Sequence, residues 1–269
     1  MRFVRYGIAL ILTIVLLGLA RRISTRHPTD FSQAVGDIII SHTTVTEDFG
    51  DGPALDVMLS KPDSLLAIVY YSNGEGSPYS FDTLAVTNYG LSGNLPVLPK
   101  GKRWYYHIAV FDKDQLVAEF PPEGDQFIKF KGHVPAYILI PHIFCMLAIV
   151  FFGFLTVFSA FDLSRGKGDL KKSARYLLWT AIFAFVGGFP LGYYVAYLAF
   201  GVGWGGIPFG WDITDNKTLL LFAFWLATLI LARKGLKGET MAISEGAYLT
   251  LTAVSLAVTI ITFMIPHSI

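Results

Sequence analysis

The residues of this sequence that could bind a metal or a cofactor are histidines and aspartates at the ends of long apolar runs. His142 lies near the start of one run, His267 lies at the end of another, and Asp212 and Asp215 precede a third. Imidazole and carboxylate groups bind Zn²⁺, Cu²⁺ and non-haem iron, and two histidines from different helices can hold a haem. If these side chains meet at one membrane face, they predict a site for a transition metal or a haem.

The two aspartates belong to residues 201–218, GVGWGGIPFGWDITDNKT, which we name the glycine-rich segment. Asn216 and Lys217 follow the aspartates and are further candidate site residues. Trp204 and Trp211 fit the aromatic belt that membrane proteins carry at the water interface. Two interpretations of the segment stay open: a re-entrant loop that lines a polar cavity, where non-helical backbone is tolerated, or a tight interfacial turn.

Each of these residues also has a purely structural explanation. Asp212 or Asp215 could cap a helix and favour its dipole. Lys217 could anchor the interface or pair with an aspartate, and His142 could bond to a backbone carbonyl of the domain outside the membrane. His267 could be a solvated residue at the membrane surface. The sequence contains no HExxH, CxxC or CxxCH spacing that would identify a metal or haem site.

The composition is that of a membrane protein rather than of a soluble domain. Of the 269 residues, 53% are hydrophobic and 15% are charged, against about 25% charged residues in an average soluble domain. The formal net charge of +1 gives no indication of nucleic-acid binding. Cys145 is the single cysteine, so neither a disulfide within the chain nor a cysteine-based metal cluster can form. The lipid bilayer is therefore the first predicted partner.

Apolar runs predict an α-helical bundle of about five transmembrane helices. The first lies in residues 1–22, where flanking arginines and the absence of a small-residue cleavage site favour an uncleaved signal anchor over a cleaved signal peptide. Residues 133–269 then form a four-helix transmembrane domain. Its spans, judged by the length that crosses about 30 Å of hydrocarbon, are predicted at about residues 134–158, 176–200, 218–232 and 246–265.

Basic residues between the spans predict the orientation of the chain. The connections at residues 165–175 and 233–237 are rich in lysine and arginine, and the positive-inside rule places such connections in the cytoplasm. The N-terminus is then cytoplasmic and the protein lies in the cell (inner) membrane. The C-terminus and the glycine-rich segment are predicted to be extracytoplasmic.

Residues 23–132 differ from the rest of the chain and predict an extracytoplasmic β-sandwich inserted after the first span. Turn signals such as Asn73-Gly74 separate short runs that are rich in β-branched and aromatic residues. The stretch LPKGKRWYYHI at residues 98–108 resembles the turn and strand of fibronectin type III or immunoglobulin-like modules, which implies a fold and no activity. The predicted strands lie at residues 37–41, 54–59, 64–71, 103–111 and 126–131.

A wider resemblance covers residues 120–268. The junction FKGHVP at residues 130–135, the stretch PFGWDITDNKT at residues 208–218 and the sequence IPHS at residues 265–268 resemble a group of bacterial polytopic membrane proteins. That resemblance implies the architecture, a β-domain followed by a transmembrane domain, and carries no activity with it.

Two functions are compatible with these patterns. The first is an integral membrane protein whose outward-facing polar site binds a metal or haem, for instance in membrane electron transfer. The alternative is a non-catalytic accessory subunit of a larger membrane complex, which docks a partner through its β-domain. Nothing in the sequence decides whether the protein is an enzyme.

Overall fold

A computed structural model describes residues 2–61, 65–74 and 76–265. The chain divides into two compact units by its internal contacts. We name them the helical unit and the β-unit. The helical unit comprises Met1–Thr25, Val134–Tyr197 and Val202–Ile269, and the β-unit comprises Arg26–His133 and Leu198–Gly201.

The described residues contain five helical stretches that are long and apolar enough to cross a membrane. The coarse prediction of a multi-helix chain with an inserted β-sheet domain is therefore confirmed. The third stretch, Leu170–Phe200, consists of two α-helices joined by a π-helical turn at Gly187–Leu191. The α-helices are α1 (Arg2–Ser24), α2 (Ala136–Ser164), α3 (Leu170–Val186), α4 (Gly192–Phe200), α5 (Ile213–Ala232) and α6 (Glu245–Met264).

Polar caps set the starts of three of these helices. Asp169 accepts a hydrogen bond from the third residue of α3, and Ser244 does the same for α6. Asp212 caps α5, which therefore begins at Ile213 rather than near residue 218. The apolar run alone predicts a span from about residue 218, because residues 214–217 are polar. The cap at Asp212, one of the two alternatives for that residue pair, accommodates these polar side chains in the first turn of the helix.

The β-unit contains two β-sheets, in which all strand pairs are antiparallel except the pair β3 and β11. The first has the strand order β1-β2-β4-β8-β7, and the second has the order β3-β11-β9-β5-β6, with β10 also paired to β9. The strands are β1 (Asp30–Val35), β2 (Ile38–Thr43), β3 (Glu47–Asp48), β4 (Ala54–Leu59), β5 (Leu66–Ser72), β6 (Ser80–Thr83), β7 (Ala85–Thr87), β8 (Gly90–Asn94), β9 (Arg103–Asp112), β10 (Gln115–Phe120) and β11 (Gln126–Phe130).

The two sheets share one hydrophobic core, which makes the β-unit sandwich-like. Burial alternates along β4, where Leu55 and Val57 are buried and their neighbours are exposed. The same core includes Ile108 and Val110 of β9 and Phe120 of β10. This alternation is the period of a strand with one face on a core. Ser64, at the predicted start of the strand that became β5, lies outside the described residues.

A buried histidine and tyrosine connect the two sheets through this core. His42 of β2 donates from Nδ1 to the carbonyl of Asp56, 2.9 Å away, and its Nε2 lies 3.2 Å from the hydroxyl of Tyr106 in β9. That hydroxyl accepts the backbone N–H of Val45 at 3.2 Å. Burial lowers the pKa of His42, and it raises the pKa of Tyr106 to about 12. Both side chains are therefore neutral and fully hydrogen-bonded in the folded domain.

The last turn of α4 belongs to the β-unit. The backbone N–H of Gly132 donates to the carbonyl of Ala199 at 2.8 Å, and Lys100 Nζ donates to the carbonyl of Leu198 at 3.3 Å. The final carbonyls of a helix have no partner within the helix, so these bonds supply one. A Cβ on Gly132 would lie 2.2 Å from the oxygen of Leu198, so the close approach requires glycine.

Candidate functional site

The two aspartates of the glycine-rich segment hold the loop to the start of α5. Asp212 Oδ1 accepts from the backbone N–H of Asp215 at 3.0 Å, which is a helix cap. Asp215 Oδ2 accepts from the backbone N–H of Gly205 at 2.5 Å. One aspartate thus caps the helix and the other closes the loop. The capping alternative describes Asp212, and Asp215 has a different structural task.

Asn216 makes a second link of the same kind. Its side-chain oxygen accepts the backbone N–H of Ile207 at 2.8 Å. The chain comes close to itself here, because a Cβ on Gly210 would lie 2.4 Å from the backbone oxygen of Gly205. Backbone atoms cannot move aside as a flexible side chain can, so Gly210 is required for this path. The segment is therefore a compact turn that is hydrogen-bonded to the first turn of α5.

The cavity beside this turn is apolar. Its lining includes Phe189, Tyr193, Trp204 and Leu219, and the indole of Trp204 stacks on Phe189 with 5.3 Å between ring centroids. A re-entrant loop around a polar cavity was one of the two interpretations, and this geometry favours the interfacial turn. Trp211 is 84% exposed. That exposure agrees with a side chain that contacts lipid or headgroups, and its place in an aromatic belt stays a prediction.

Lys217 lies on the buried side of α5. Its ammonium group donates to the backbone carbonyl of Ile265 at 2.6 Å, and only 6% of the residue is exposed. Ile265 follows the last residue of α6, so the bond joins the start of one helix to the end of another. The sequence analysis considered an interfacial anchor or a pairing with an aspartate. The hydrogen bond to the end of α6 is an additional, structural role.

His142 bonds within the helical unit. Its Nδ1 lies 3.1 Å from the carbonyl of Gly187, in the π-helical turn between α3 and α4. A carbonyl only accepts, so Nδ1 carries the proton. A Cβ on Gly187 would lie 2.7 Å from the Cβ of Cys145, which shows how closely α2 approaches the turn. The backbone partner of His142 is thus a helix carbonyl, where a carbonyl of the β-domain had been considered.

The described residues do not assemble the predicted metal site. His142, Asp212 and Asp215 form no group that could hold a metal ion, and no other three histidine, cysteine, aspartate or glutamate residues within residues 2–61, 65–74 and 76–265 do so. One carboxylate oxygen of each aspartate, Oδ1 of Asp212 and Oδ2 of Asp215, already accepts a backbone N–H group. His267 lies outside the described residues. Binding of a metal or haem by His142 and His267 therefore stays a prediction.

The sequence analysis missed a group of aromatic side chains on the outer surface of the second sheet. Tyr70 of β5 stacks on His107 of β9 with 5.0 Å between ring centroids, and it lies 6.1 Å from the ring of Phe81 in β6. Further along β9, Tyr105 lies 5.9 Å from Phe127 of β11. We name this surface the aromatic face, formed by Tyr70, Tyr79, Phe81, Tyr105, His107 and Phe127.

Polar contacts fix the side chains of the aromatic face. His107 Nδ1 lies 2.9 Å from Asp125 Oδ1, and the hydroxyl of Tyr79 donates to the same carboxylate. The guanidinium of Arg26 lies 3.6 Å above the centroid of the Phe127 ring. A signal for this surface exists in the sequence, because every second residue of β9 faces away from the core. The partners on β6 and β11 could not be assigned without the strand register.

Comparison of the chain with protein-family models, with curated proteins and with solved structures found no match. The geometry of the two units therefore carries the functional argument.

Proposed function

We propose that the chain is a membrane-anchored accessory subunit whose β-unit docks a partner protein through the aromatic face. The observation that carries this proposal is a set of aromatic rings on the sheet surface, two of them exposed and the others half-buried. The rings pack on one another, and hydrogen bonds and an arginine fix three of them. Interface hot spots are enriched in tyrosine, tryptophan and arginine. Rings that are already fixed lose little conformational entropy on binding.

The exposure of the face supports a docking role. Phe81 is 66% exposed and Tyr79 is 46% exposed, although both pack on neighbouring rings. Arg26 stacks on Phe127 at one end, and Asp125 holds His107 and Tyr79 at the other. Apolar centres with charged edges are typical of protein interfaces. We infer a partner surface with apolar side chains for the rings and a carboxylate near Arg26.

The strand order supports an immunoglobulin-like sandwich. The series β2-β4-β8-β7 and β11-β9-β5-β6 correspond to the A-B-E-D and G-F-C sheets of that fold, with one more strand on the second sheet. Such modules serve many binding functions, so the correspondence is an analogy of fold and leaves the partner open. With the positive-inside rule, we infer that the β-unit is extracytoplasmic.

The polar site of the helical unit gives less support to the metal or haem interpretation. Asp212, Asp215 and Asn216 are occupied by backbone N–H groups of their own loop. An absorption spectrum and elemental analysis of protein purified in mild detergent test this interpretation directly. A Soret band or a stoichiometric metal that disappears in His142→Ala would restore it.

Site-specific crosslinking tests the docking role. A photo-reactive residue is placed at Phe81 on the aromatic face, and a matched one is placed at Met58, which is 56% exposed on the outer surface of the first sheet. We expect a crosslink from position 81 to one defined chain, and none to that chain from position 58. The same chain should co-purify in a fixed ratio.

A second test of the docking role introduces a charge on the aromatic face. Phe81→Arg should abolish co-purification of that chain because a guanidinium would be buried without a partner, whereas Met58→Arg should leave it intact. A protein that is monomeric in mild detergent and gives equal crosslinks from both positions would overturn the proposal.

A further inference from the structure

A cavity of about 230 Å³ opens among α1, α2 and α3, at the end of the helical unit that carries the basic connection. We name it the basic pocket. Its wall comes from the first turns of α1, the C-terminal part of α2, the first turns of α3 and the connection between α2 and α3. The side chains that matter for its chemistry are Arg5, Tyr6, Leu155, Phe158, Lys167, Lys172 and Tyr176.

The carboxylates of the pocket are already engaged. Asp162 forms a two-pronged ion pair with Arg5, with 3.0 Å between Nη2 and Oδ1. Asp169 accepts the backbone N–H of Lys172 at 3.1 Å. Among the residues that the structure describes, no carboxylate forms an ion pair with the ammonium group of Lys167 or Lys172. The ammonium groups of Lys167 and Lys172 are therefore available to a ligand. The three cations and two carboxylates of the lining leave it with a net positive charge.

Aromatic rings hold Lys172 in place. Its ammonium nitrogen lies 5.9 Å from the ring centroid of Tyr6 and 5.6 Å from that of Tyr176. The two tyrosine hydroxyls bond to each other across α1 and α3. A cation–π contact positions an ammonium group without neutralising its charge. The pocket is thus arranged to present a cation before any ligand arrives.

The inner wall of the cavity is apolar. Leu155 and Phe158 lie in the part of α2 that precedes its polar end, Asp162. At 1.5 Å per residue, the step from Leu155 to Asp162 covers about 10 Å along the helix. A ligand that fills the pocket would therefore meet cations at one end and hydrocarbon at the other. A phospholipid has this combination, and a free inorganic anion lacks the apolar part.

We propose that the basic pocket binds the phosphate headgroup of an anionic phospholipid, with Lys167 and Lys172 as its cationic ligands and Leu155 and Phe158 against the start of an acyl chain. Basic pockets between transmembrane helices on the cytoplasmic side bind anionic headgroups in this way. The positive-inside rule predicts that this end of the helices meets the cytoplasmic leaflet, where anionic lipids are found. The proposal is independent of the docking role of the β-unit.

Native mass spectrometry of the full chain in detergent tests the proposal. The protein is delipidated and titrated with phosphatidylglycerol, and separately with phosphatidylcholine as a lipid without net charge. We expect phosphatidylglycerol to bind about tenfold more tightly, and the double variant Lys167→Gln/Lys172→Gln to weaken that binding about tenfold or more. Inorganic phosphate at millimolar concentration should not displace the lipid.

Matched variants distinguish the pocket from general surface charge. Lys171→Gln/Arg175→Gln removes the same charge from exposed positions of α3 that do not line the pocket, and it should change the affinity less than about twofold. Lys167→Arg/Lys172→Arg keeps the charges and should retain the binding. Equal weakening in the two glutamine variants, or complete displacement of the lipid by inorganic phosphate, would overturn the proposal.

Discussion

The helical unit has two polar regions, and they treat their charged side chains in opposite ways. In the glycine-rich segment, Asp212, Asp215 and Lys217 each bond to a backbone group. In the basic pocket, Lys167 and Lys172 face a cavity and form no ion pair with a carboxylate among the described residues. The first region has more potential ligand groups, yet each of these three side chains is already bound to the backbone. Availability to a ligand, rather than residue type, separates a structural cluster from a candidate site.

The difference has a physical origin. The loop before α5 and the first turn of that helix contain backbone N–H groups without helical partners, and each one costs free energy unless an acceptor is supplied. Aspartate and asparagine in the first turn of α5 are such acceptors. The ammonium groups of Lys167 and Lys172 can only donate, so they cannot serve as acceptors for backbone N–H groups. These two ammonium groups can therefore bind an anionic ligand.

The largest expected effect tests how tightly the glycine-rich segment is closed. Gly210→Ala would place a Cβ 2.4 Å from the backbone oxygen of Gly205. We expect a loss of about 3 kcal/mol in stability because backbone must move to admit the methyl group. The measurement is the melting temperature in detergent, and Gly246→Ala is the control because a Cβ there has open space. A wild-type melting temperature in Gly210→Ala would show that the turn is loose.

The next effect tests the acceptor role of Asp215. Asp215→Ala removes the partner of the Gly205 N–H, and a half-buried donor without a partner costs about 2 kcal/mol. On the scale of a domain of this size, the melting temperature should fall by about 5 °C. Asp215→Asn keeps one acceptor oxygen and should lose less. Equal losses in the two variants would mean that charge, rather than the hydrogen bond, holds the turn.

Much of the architecture could be predicted from the sequence, because hydropathy and strand propensity are local properties. The strand at Ala54–Leu59 follows the predicted bounds, whereas β6 was missed because it is short and exposed along its length. The start of α5 was placed too late because capping reverses the usual meaning of polar residues next to an apolar run. Local patterns identify elements well when burial is continuous or strictly alternating.

The sites were harder to predict because they depend on pairing between distant residues. Tyr70 meets His107 only through the register of β5 and β9, and Arg5 meets Asp162 across 157 positions of sequence. Composition suggested that the aspartates of the glycine-rich segment were ligands. The structure instead shows that Asp215 faces a backbone N–H. Whether a polar group is already satisfied is a property of the folded chain alone.

A smaller effect is the pH dependence of stability that His42, a buried and hydrogen-bonded side chain of the β-unit, should cause. Burial lowers the pKa of His42, so the folded protein binds this proton more weakly than the unfolded chain does. The stability contributed by neutral His42 is complete above its unfolded pKa, near 6.5, and it is lost as the pH falls through the lower folded value. The neighbours of the ring are the Asp56 carbonyl and the Tyr106 hydroxyl.

We expect the melting temperature of the full chain to fall more between pH 7 and pH 5 in the wild type than in His42→Gln. The comparison is made between the two proteins because every ionisable group other than His42 is common to both. Identical pH profiles would show that His42 is charged, or free to become charged, in the folded domain.

The smallest expected effect is the most direct test of the contrast between the two polar regions. If Lys167 and Lys172 are available to a ligand, Lys167→Gln/Lys172→Gln should change the stability of lipid-free protein by less than about 1 kcal/mol, because neither ammonium group forms an ion pair and the cation–π contacts of Lys172 contribute little. Phosphatidylglycerol should then raise the melting temperature of the wild type and leave that of the variant unchanged, since a ligand stabilises only the state that binds it. A large loss of stability in the lipid-free variant would mean that the lysines are structural, like Lys217, and that both polar regions serve the fold.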